Sequence, residues 1–450
     1  MTSRRNFLKI GCCSIGPAAM TGAIGRMSLV NAMAQTGPDY KALVCIFMNG
    51  GNDSNNTVVP ISAQYAQYAA VRGTLALTQA QLLAVTTPQG AVYGLHPALA
   101  AIQPLWAQRQ LAVVANVGML VRPTTRAQYQ AGSVPVPNNL FSHSDQISQW
   151  HTAMPMGGTS GWGGRLADRM TALGINSPST FPMGVSVNGG ALILNGVNTK
   201  PATVIPGQTT TGLEGTNPEN AAMVARDKSL QEILNFDAGF ALVQAASANT
   251  KEGIRIAQLI NSVTQSNPLV TQFPQTSLGN QLAQIARLIQ VRTQLGVRRQ
   301  IFFASIGGFD THSNQLPDHQ NLLTQVGGAM ASFQAAMIEL GVLDQVTLFT
   351  ESEFSRTFQP SQGLGSDHAW GGHPIVLGGA VRGGQVYGTF PTLALQGPDD
   401  SGNRGNWIPT TSLDQYGATL ATWFGVPATD LTNVFPNLVN FPTTNLGFMA

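Results

Sequence analysis

The chain has 450 residues, of which 43% are hydrophobic and only 10% are charged, and its formal net charge is +2 at pH 7. This length suits one large α/β domain or two ordinary ones. Because the small net charge provides no basic surface for a phosphate backbone, we expect no nucleic-acid partner. Beyond the N-terminal region no uncharged apolar run reaches 18 residues, so no membrane span is predicted once that region is removed.

The N-terminal region has the order of features of a twin-arginine export signal. SRRNFLK (3–9) precedes a mildly apolar run that is rich in small residues. NAMAQ follows and places Ala32 and Ala34 at the positions that a signal peptidase recognises. We therefore predict a signal peptide over 1–34, a periplasmic or secreted protein, and the Tat translocase and signal peptidase as partners. The alternative is a buried N-terminal helix. Cleavage would remove four cationic residues and no acid, so the net charge would change from +2 to −2. Only Cys45 would remain, which leaves no cysteine pair for an internal disulfide.

Strand and helix patterns alternate along the rest of the chain. Almost continuous apolar runs predict strands covered on both faces at 42–48, 111–118, 299–308 and 345–354. Helical periodicity between them predicts helices over 96–110, 277–297 and 319–342. Residues 181–196 resemble two short strands with a hairpin-type turn, 121–140 read as a loop, and 197–220 as a possible flap or insertion. The alternation predicts a single α/β domain over 35–450, with a mostly parallel sheet between two layers of helices.

Potentially catalytic or metal-binding side chains follow the predicted strands at their carboxyl ends, which is where parallel sheets bind ligands. Carboxylates mixed with imidazoles suit zinc, manganese or magnesium, as one or two ions, better than a thiolate site would. The candidate ligands are Asp53, Asp310, His312, Asp367, His368 and His373. FSHSDQISQWH (141–151) opens a helix and supplies Ser142 and Ser144 beside His143. The start of that helix would present backbone N–H groups to an anion.

Each of these segments also has a purely structural interpretation. NGGNDSNN around Asp53 is typical of an Asx turn, and Asp310 and Ser142 are each able to cap a helix. His96 and His319 read as structural histidines. Acids and histidines occur together at corresponding strand ends. This favours a functional site, because unrelated turns would not need both kinds of side chain at these positions.

The order of motifs resembles a known family. FMNGGNDSNNTVVP, FSHSDQISQWHTA, GWGGRLADRM, FDTHSNQ, TESEFSRT, GSDHAWGGH and VLGGAVRGGQVYGTFP follow SRRNFLK in this order. Together they resemble the Tat-exported bacterial proteins of domain-of-unknown-function family 1501, which are similar to the alkaline phosphatase and sulfatase superfamily. The resemblance implies a three-layer α/β/α sandwich with its site at the strand ends.

The same resemblance implies roles for individual residues. Asp53 matches a metal-binding aspartate, Ser142 or Ser144 the nucleophile, and Asp310 with His312 a ligand pair. For the last ligand pair there are two alternatives. Either the loop supplies Asp367 and His368, or Glu353 replaces the aspartate and His368 or His373 is the histidine. The sulfatase signature, Cys or Ser followed by x-Pro-x-Arg, is absent from the sequence.

We therefore expect an exported metal-dependent hydrolase of phosphate or sulfate esters, acting on a small-molecule or polymer substrate. Ser144 is the first candidate nucleophile, and Arg356 is the candidate that binds the anionic group in a bidentate manner. The alternative is a non-catalytic secreted or cell-surface binding protein that retains the same fold.

Overall fold

A computed structural model describes residues 39–62, 64–206, 219–237, 239–264 and 268–450. The predicted signal peptide (1–34) and residues 207–218 of the predicted flap lie outside the described residues. The strands are β1 (Lys41–Met48), β2 (Val58–Pro60), β3 (Leu83–Thr86), β4 (Val92–Leu95), β5 (Leu111–Val114), β6 (Val117–Gly118), β7 (Gly184–Ser186), β8 (Ala202–Thr203), β9 (Arg299–Ile306), β10 (Val346–Glu351), β11 (Ile375–Leu377), β12 (Gln385–Tyr387) and β13 (Thr411–Ser412). The α-helices are α1 (Ser54–Thr57), α2 (Tyr65–Arg72), α3 (Pro104–Ala107), α4 (Arg126–Gln130), α5 (His143–Thr152), α6 (Trp162–Ala172), α7 (Ala221–Asn235), α8 (Ala241–Thr264), α9 (Ser277–Gln290), α10 (Gln315–Glu339), α11 (Leu413–Phe424) and α12 (Leu431–Val434).

The main sheet has eight strands in the order β12-β5-β11-β10-β1-β9-β7-β8. The pairs β1–β10, β1–β9, β7–β9, β7–β8 and β12–β5 are parallel, whereas β11 is antiparallel to both β10 and β5. The loop 352–374 leaves β10 at its carboxyl end and returns to the same edge, so β11 must run backwards. The mostly parallel sheet predicted from the sequence is therefore confirmed.

Side chains of β1 alternate between two separate cores. Ala42, Val44, Ile46 and Met48 belong to one cluster with residues of α9 and α10. Leu43, Cys45 and Phe47 belong to the other with residues of α6 and α11. Both faces of the strand are buried, which explains why its apolar run is continuous. The two helical layers make the fold a three-layer α/β/α sandwich, as expected.

Some local predictions were wrong. Residues 96–110 do not form one helix but a 3₁₀ turn (Pro97–Leu99) followed by α3, because Pro104 has no N–H to continue the helix and starts a new one. Leu192–Leu194 is a 3₁₀ turn and not a strand, and β7 pairs with β8 and β9 instead of forming a hairpin. The predicted loop 121–140 contains α4, which Thr125 and Gln128 cap reciprocally. None of the described helices is long and apolar enough to span a bilayer.

The loops that follow β1, β9 and β10 lie against one another at the carboxyl edge of the sheet. Asn49 O accepts a hydrogen bond from Phe309 N–H at 3.2 Å, and Asn52 N–H donates to Ser352 Oγ at 2.9 Å. Gly50 has a positive φ of 118°, and a Cβ there would lie 2.4 Å from Asp310 N. Only glycine permits this approach, which brings the loops after β1 and β9 together.

Candidate metal centre

Three histidine rings and one carboxylate meet at this edge of the sheet. His368 Nε2 lies 3.1 Å from His143 Nε2, 3.0 Å from His312 Nε2 and 3.2 Å from Asp310 Oδ1. Asp310 Oδ1 also lies 3.0 Å from His312 Nε2, and its Oδ2 lies 3.5 Å from His143 Nε2. His143, Asp310 and His368 offer ligand atoms that all lie within 4.8 Å of one another. We call His143, Asp310, His312 and His368 the three-histidine centre.

Two of the rings are held by acceptors on their far side. His368 Nδ1 donates to the carbonyl oxygen of Phe141 at 2.7 Å. Because a carbonyl only accepts, this nitrogen carries the hydrogen, and the Nε2 lone pair of the neutral ring faces the centre. His143 Nδ1 lies 2.8 Å from Oε1 of Glu353, and the same buried oxygen accepts from Gly50 N–H at 2.8 Å. The hydrogen bond to Glu353 raises the pKa of His143, whereas burial lowers the pKa of His368.

His312 and Asp310 are held by a carboxylate and by arginine. His312 Nδ1 lies 3.1 Å from Asp367 Oδ1, and Arg404 pairs with the other oxygen of Asp367. Arg356 Nη1 donates to Asp310 Oδ1 at 2.7 Å. Burial raises the pKa of Asp310, but the hydrogen bond and charge of Arg356 outweigh it, so the pKa lies below its ordinary value. Asp310 therefore offers an ionised carboxylate to the centre at neutral pH.

This donor set fits a divalent cation. The acceptors behind the rings place hydrogen on each Nδ1, so the Nε2 lone pairs face one another and need a positive charge between them. In a tetrahedral zinc site with bonds of about 2.0–2.1 Å, neighbouring ligand atoms lie about 3.3–3.4 Å apart. Among His143, Asp310 and His368 the contacts of 3.1, 3.2 and 3.5 Å are close to that separation, and His312 Nε2 lies 3.0 Å from both His368 Nε2 and Asp310 Oδ1. Acceptors behind metal-binding histidines are a general feature of metal sites.

One side of the centre is open to solvent. The side chains of His312 and Asp310 are 47% and 46% exposed, whereas that of Glu353 is fully buried behind His143. Catalytic metal sites keep a coordination position for water or substrate, and structural sites do not. The open side gives a small molecule direct access to the centre.

Two predicted ligands lie outside this centre. Asp53 is fully buried, and its Oδ2 pairs with Arg72 and accepts from Gln315 Nε2. His373 Nδ1 accepts from Asn116 N–H at 2.9 Å, and burial lowers the pKa of His373 to about 4. Neither side chain belongs to the group within 4.8 Å among the residues that the structure describes.

Glu353 and Asp367, also predicted as ligands, lie behind the rings of His143 and His312. Each carboxylate faces an Nδ1 nitrogen and therefore orients the imidazole ring of a candidate ligand. The structure thus brings His312, His368 and Asp310 together and places these two acids one layer further out.

The serines predicted as nucleophiles flank His143 at the start of α5. Ser142 Oγ donates to Asp145 Oδ2 at 2.6 Å, and Ser144 Oγ lies 3.3 Å from Ser142 Oγ and 3.4 Å from Asp145 Oδ2. Ser142 is the N-cap residue, although its side chain does not bond to the helix backbone. Within the described part of the chain, neither hydroxyl hydrogen-bonds to a histidine that would act as its base.

Arg356 faces away from solvent instead of towards an anionic ligand. Its side chain is fully buried, and it donates to Asp310, to the carbonyl of Gly50 and to the carbonyl of Ser366. These bonds use both terminal nitrogens, Nη1 and Nη2, so the structure gives Arg356 the role of holding Asp310. The arginine at the open side is Arg404, whose side chain is about one-third exposed.

His143 and Arg404 were missed as functional residues by sequence reasoning. His143 is the first residue of α5, between the two serines that drew attention, and its position at a helix start was the available signal. Arg404 lies in DDSGNRGN, which follows no predicted strand. Its pairing with Asp367, 37 residues earlier, has no local sequence signal.

Comparison with known proteins identifies the family. The model of the family described as "Protein of unknown function (DUF1501)" matches residues 40–403. The chain therefore belongs to this family, and the resemblance seen in the motifs is confirmed. A search of curated proteins found no match.

Several solved structures align with the chain. They include the PsFucS1 sulfatase from Pseudoalteromonas sp., at 11% identity over 97% of this chain and 74% of that chain, with a TM-score of 0.31. The C-terminal periplasmic domain of EcEptC from Escherichia coli, in complex with Zn, aligns at 12% identity over 76% and 74%, with a TM-score of 0.28. The alkaline phosphatase PafA aligns at 13% identity over 72% and 64%, with a TM-score of 0.28. TM-scores this low carry no argument about the chain, and its fold assignment rests on the sheet described above.

Proposed function

We propose that this protein is an exported, metal-dependent hydrolase of phosphate or sulfate esters. The observation that carries the proposal is the convergence of three Nε2 nitrogens and the Asp310 carboxylate at an edge open to solvent. A divalent cation held there would supply a Lewis acid for the ester oxygens and a water of lowered pKa. The ligands would be His143, His368 and Asp310, with His312 beside them.

The chain's own residues prepare this site before any substrate arrives. Glu353 and the Phe141 carbonyl fix the tautomers of His143 and His368, which keeps the Nε2 lone pairs directed inward. Arg356 keeps Asp310 ionised and in place. Positioning of this kind lowers the cost of reaching the reactive geometry, because little needs to reorganise.

One ion is the stoichiometry that the contacts support. A second ion of the kind expected from the sequence would need Asp53 as a ligand. Arg72 is already paired with that carboxylate, and Gln315 donates to the same oxygen. The guanidinium thus supplies the positive charge that a second cation would have brought.

Periplasmic or secreted localisation remains a proposal based on SRRNFLK and NAMAQ. Replacing Arg4 and Arg5 by lysine in a tagged full-length chain, followed by cell fractionation, tests it. Retention in the cytoplasm is expected, because the twin-arginine route reads the arginine pair. Unchanged export would contradict the assignment of the signal.

The enzyme proposal is tested on purified protein from residue 35 onward, which keeps every described residue. Bound metal is measured by elemental analysis, and turnover is screened on chromogenic phosphate monoesters, phosphate diesters and sulfate esters with zinc, manganese and magnesium. We expect near one equivalent of metal and turnover that is lost in His368→Ala. Asp318→Asn, an exposed change at the start of α10, is the matched control and should keep both.

Two results separate the alternatives. Neither bound metal nor turnover with any of the three ions would refute the proposal. Metal bound by the wild type and lost in His368→Ala, without turnover on any ester, would favour the non-catalytic binding protein. Ser142→Ala and Ser144→Ala test the serines separately, and turnover lost in only one of them identifies a nucleophile.

A further inference from the structure

One aromatic side chain contacts two of the imidazole rings in the three-histidine centre. The centroid of the Phe354 ring lies 4.7 Å from that of His143 and 4.7 Å from that of His368. The phenyl ring is stacked on His368 at an interplanar angle of 26° and is tilted by 45° relative to His143. The two imidazoles meet each other edge to face, at 4.3 Å and 71°. Phe354 is therefore a common packing partner of both candidate ligand rings.

A glycine in the loop after β1 leaves room for this phenyl ring. A Cβ at Gly51 would lie 2.5 Å from both Cδ2 and Cε2 of Phe354, so the ring occupies the space that a side chain would need. The φ of Gly51 is +84°, a conformation that also favours glycine. Phe354 is thus held between the loop after β1 on one side and the two imidazoles on the other.

The packing restrains a motion that the hydrogen bonds behind the rings restrain less. A hydrogen bond tolerates a broad range of angles, so the acceptors of His143 and His368 select the tautomer more strictly than the tilt of each ring. Contacts between rings are short-ranged and depend on orientation, and they supply the missing restraint. With both restraints in place, the two Nε2 nitrogens lie 3.1 Å apart, close to the separation of ligand atoms in a tetrahedral zinc site.

The phenyl ring also shields the imidazole faces that it covers. Phe354 is only 1% exposed and has no atom able to bind a cation. An apolar side chain at such a position controls the access of solvent to a metal site. Additional water ligands would enlarge the coordination shell of an ion, and the six-coordinate geometry that results is typical of magnesium and manganese.

We propose that Phe354 is a positioning residue, which holds His143 and His368 at the separation that a four-coordinate ion requires and keeps additional water away from that ion. The inference rests on the metal centre of the proposed function. It goes further in assigning the coordination geometry to a residue that is not itself a ligand.

Cobalt bound to protein from residue 35 onward reports this geometry, because a four-coordinate cobalt ion absorbs visible light more strongly than a six-coordinate one. The wild type should show the strong absorption. Phe354→Leu keeps an apolar side chain but removes the planar ring, so the absorption per bound cobalt should fall. Its zinc affinity, measured by competition with a chelator, should fall by about 10–100-fold, the range for loss of a group that orients a metal ligand.

Phe358→Leu is the matched control. Phe358 is a fully buried residue of the same loop, 352–374, and its ring packs on those of Tyr68 and Trp407. This variant should keep the cobalt spectrum and the zinc affinity even if it is less stable. Circular dichroism checks folding, and Phe354→Met, with a more adaptable side chain, takes the place of Phe354→Leu if the latter does not fold.

The outcomes separate this inference from the proposal on which it rests. An unchanged spectrum and zinc affinity in a folded Phe354 variant would overturn the role of Phe354 and leave the metal centre in place. An equal loss in Phe358→Leu would also overturn it, because the effect would then come from a general loosening of the loop. So would a six-coordinate spectrum in the wild type. A wild type that binds neither cobalt nor zinc would refute the metal centre and this inference together.

Discussion

Replacing Glu353 by glutamine separates the role of a ligand-orienting carboxylate from that of a ligand. Glu353 is fully buried, and its Oε1 both faces His143 Nδ1 at 2.8 Å and accepts from Gly50 N–H at 2.8 Å. The glutamine carbonyl is able to accept both bonds, so the loop after β1 should keep its position. What is lost is the negative charge that makes His143 a stronger donor to a cation. Removing such a partner costs about 10–100-fold in metal affinity, which corresponds to about 1.4–2.8 kcal/mol. We expect the upper part of that range, because no solvent screens this charge.

Competition with a fluorescent zinc chelator at neutral pH measures the dissociation constant directly. Glu339→Gln, at an exposed carboxylate near the end of α10, is the matched control and should bind zinc as the wild type does. Circular dichroism checks that both variants are folded. Unchanged zinc affinity in folded Glu353→Gln would refute the reasoning, since it would show that the buried carboxylate does not act through His143.

Three further predictions concern stability. Saturating zinc at about 100 times its dissociation constant should stabilise the protein by about 2.7 kcal/mol relative to chelator-treated protein, because only the folded chain assembles the centre; calorimetry with and without chelator measures it. Arg72→Leu leaves the Asp53 carboxylate buried without its partner and should cost about 3–5 kcal/mol in urea unfolding, whereas Arg382→Leu, at an exposed arginine, should cost little. Burial raises the pKa of Asp414 to about 7, so its contribution to stability is fully present below the ordinary value of 3.8 and is lost as pH rises through about 7. Asp414→Asn should therefore flatten the decline in unfolding free energy over that window, and an unchanged decline would contradict the burial argument.

The central strands were predictable because their environment is simple. β1, β9 and β10 are largely buried on both faces, so apolar residues fill β1 and the centre of β9 and stand out in the sequence, although β10 also buries Thr347, Thr350 and Glu351. β11 has only three residues, and its antiparallel direction follows from the course of the loop 352–374, which carries no periodic pattern. The interrupted helix over 96–110 shows the opposite case, where apolar spacing suggested a helix and the missing N–H of Pro104 ended it.

The site was predictable to the level of the sheet edge but not of individual contacts. The strand-end rule led to Asp310, His312 and His368, and the structure brings these three together. The same rule selected Asp53, but Arg72 from α2 lies beside it, and nothing in the local sequence indicates that partner. His143 comes from a helix start and not from a strand end, so the rule did not include it. The position of a residue after a strand predicts that it lies at the carboxyl edge of the sheet. Which side chains touch one another there depends on how loops and helices from distant parts of the chain pack at that edge.

The wide separation of the proposed metal ligands along the chain has a consequence for how the protein would acquire an ion. His143, Asp310 and His368 come from three different segments, so folding is needed to bring the three together. Loading must therefore follow folding and not precede it. Because affinity alone distinguishes poorly between divalent ions, the ion present where folding occurs is the one that the proposed site would capture. Under the export proposed above, the twin-arginine route carries a folded chain. The cytoplasmic metal pool, rather than the composition of the destination, would then determine which ion the protein contains.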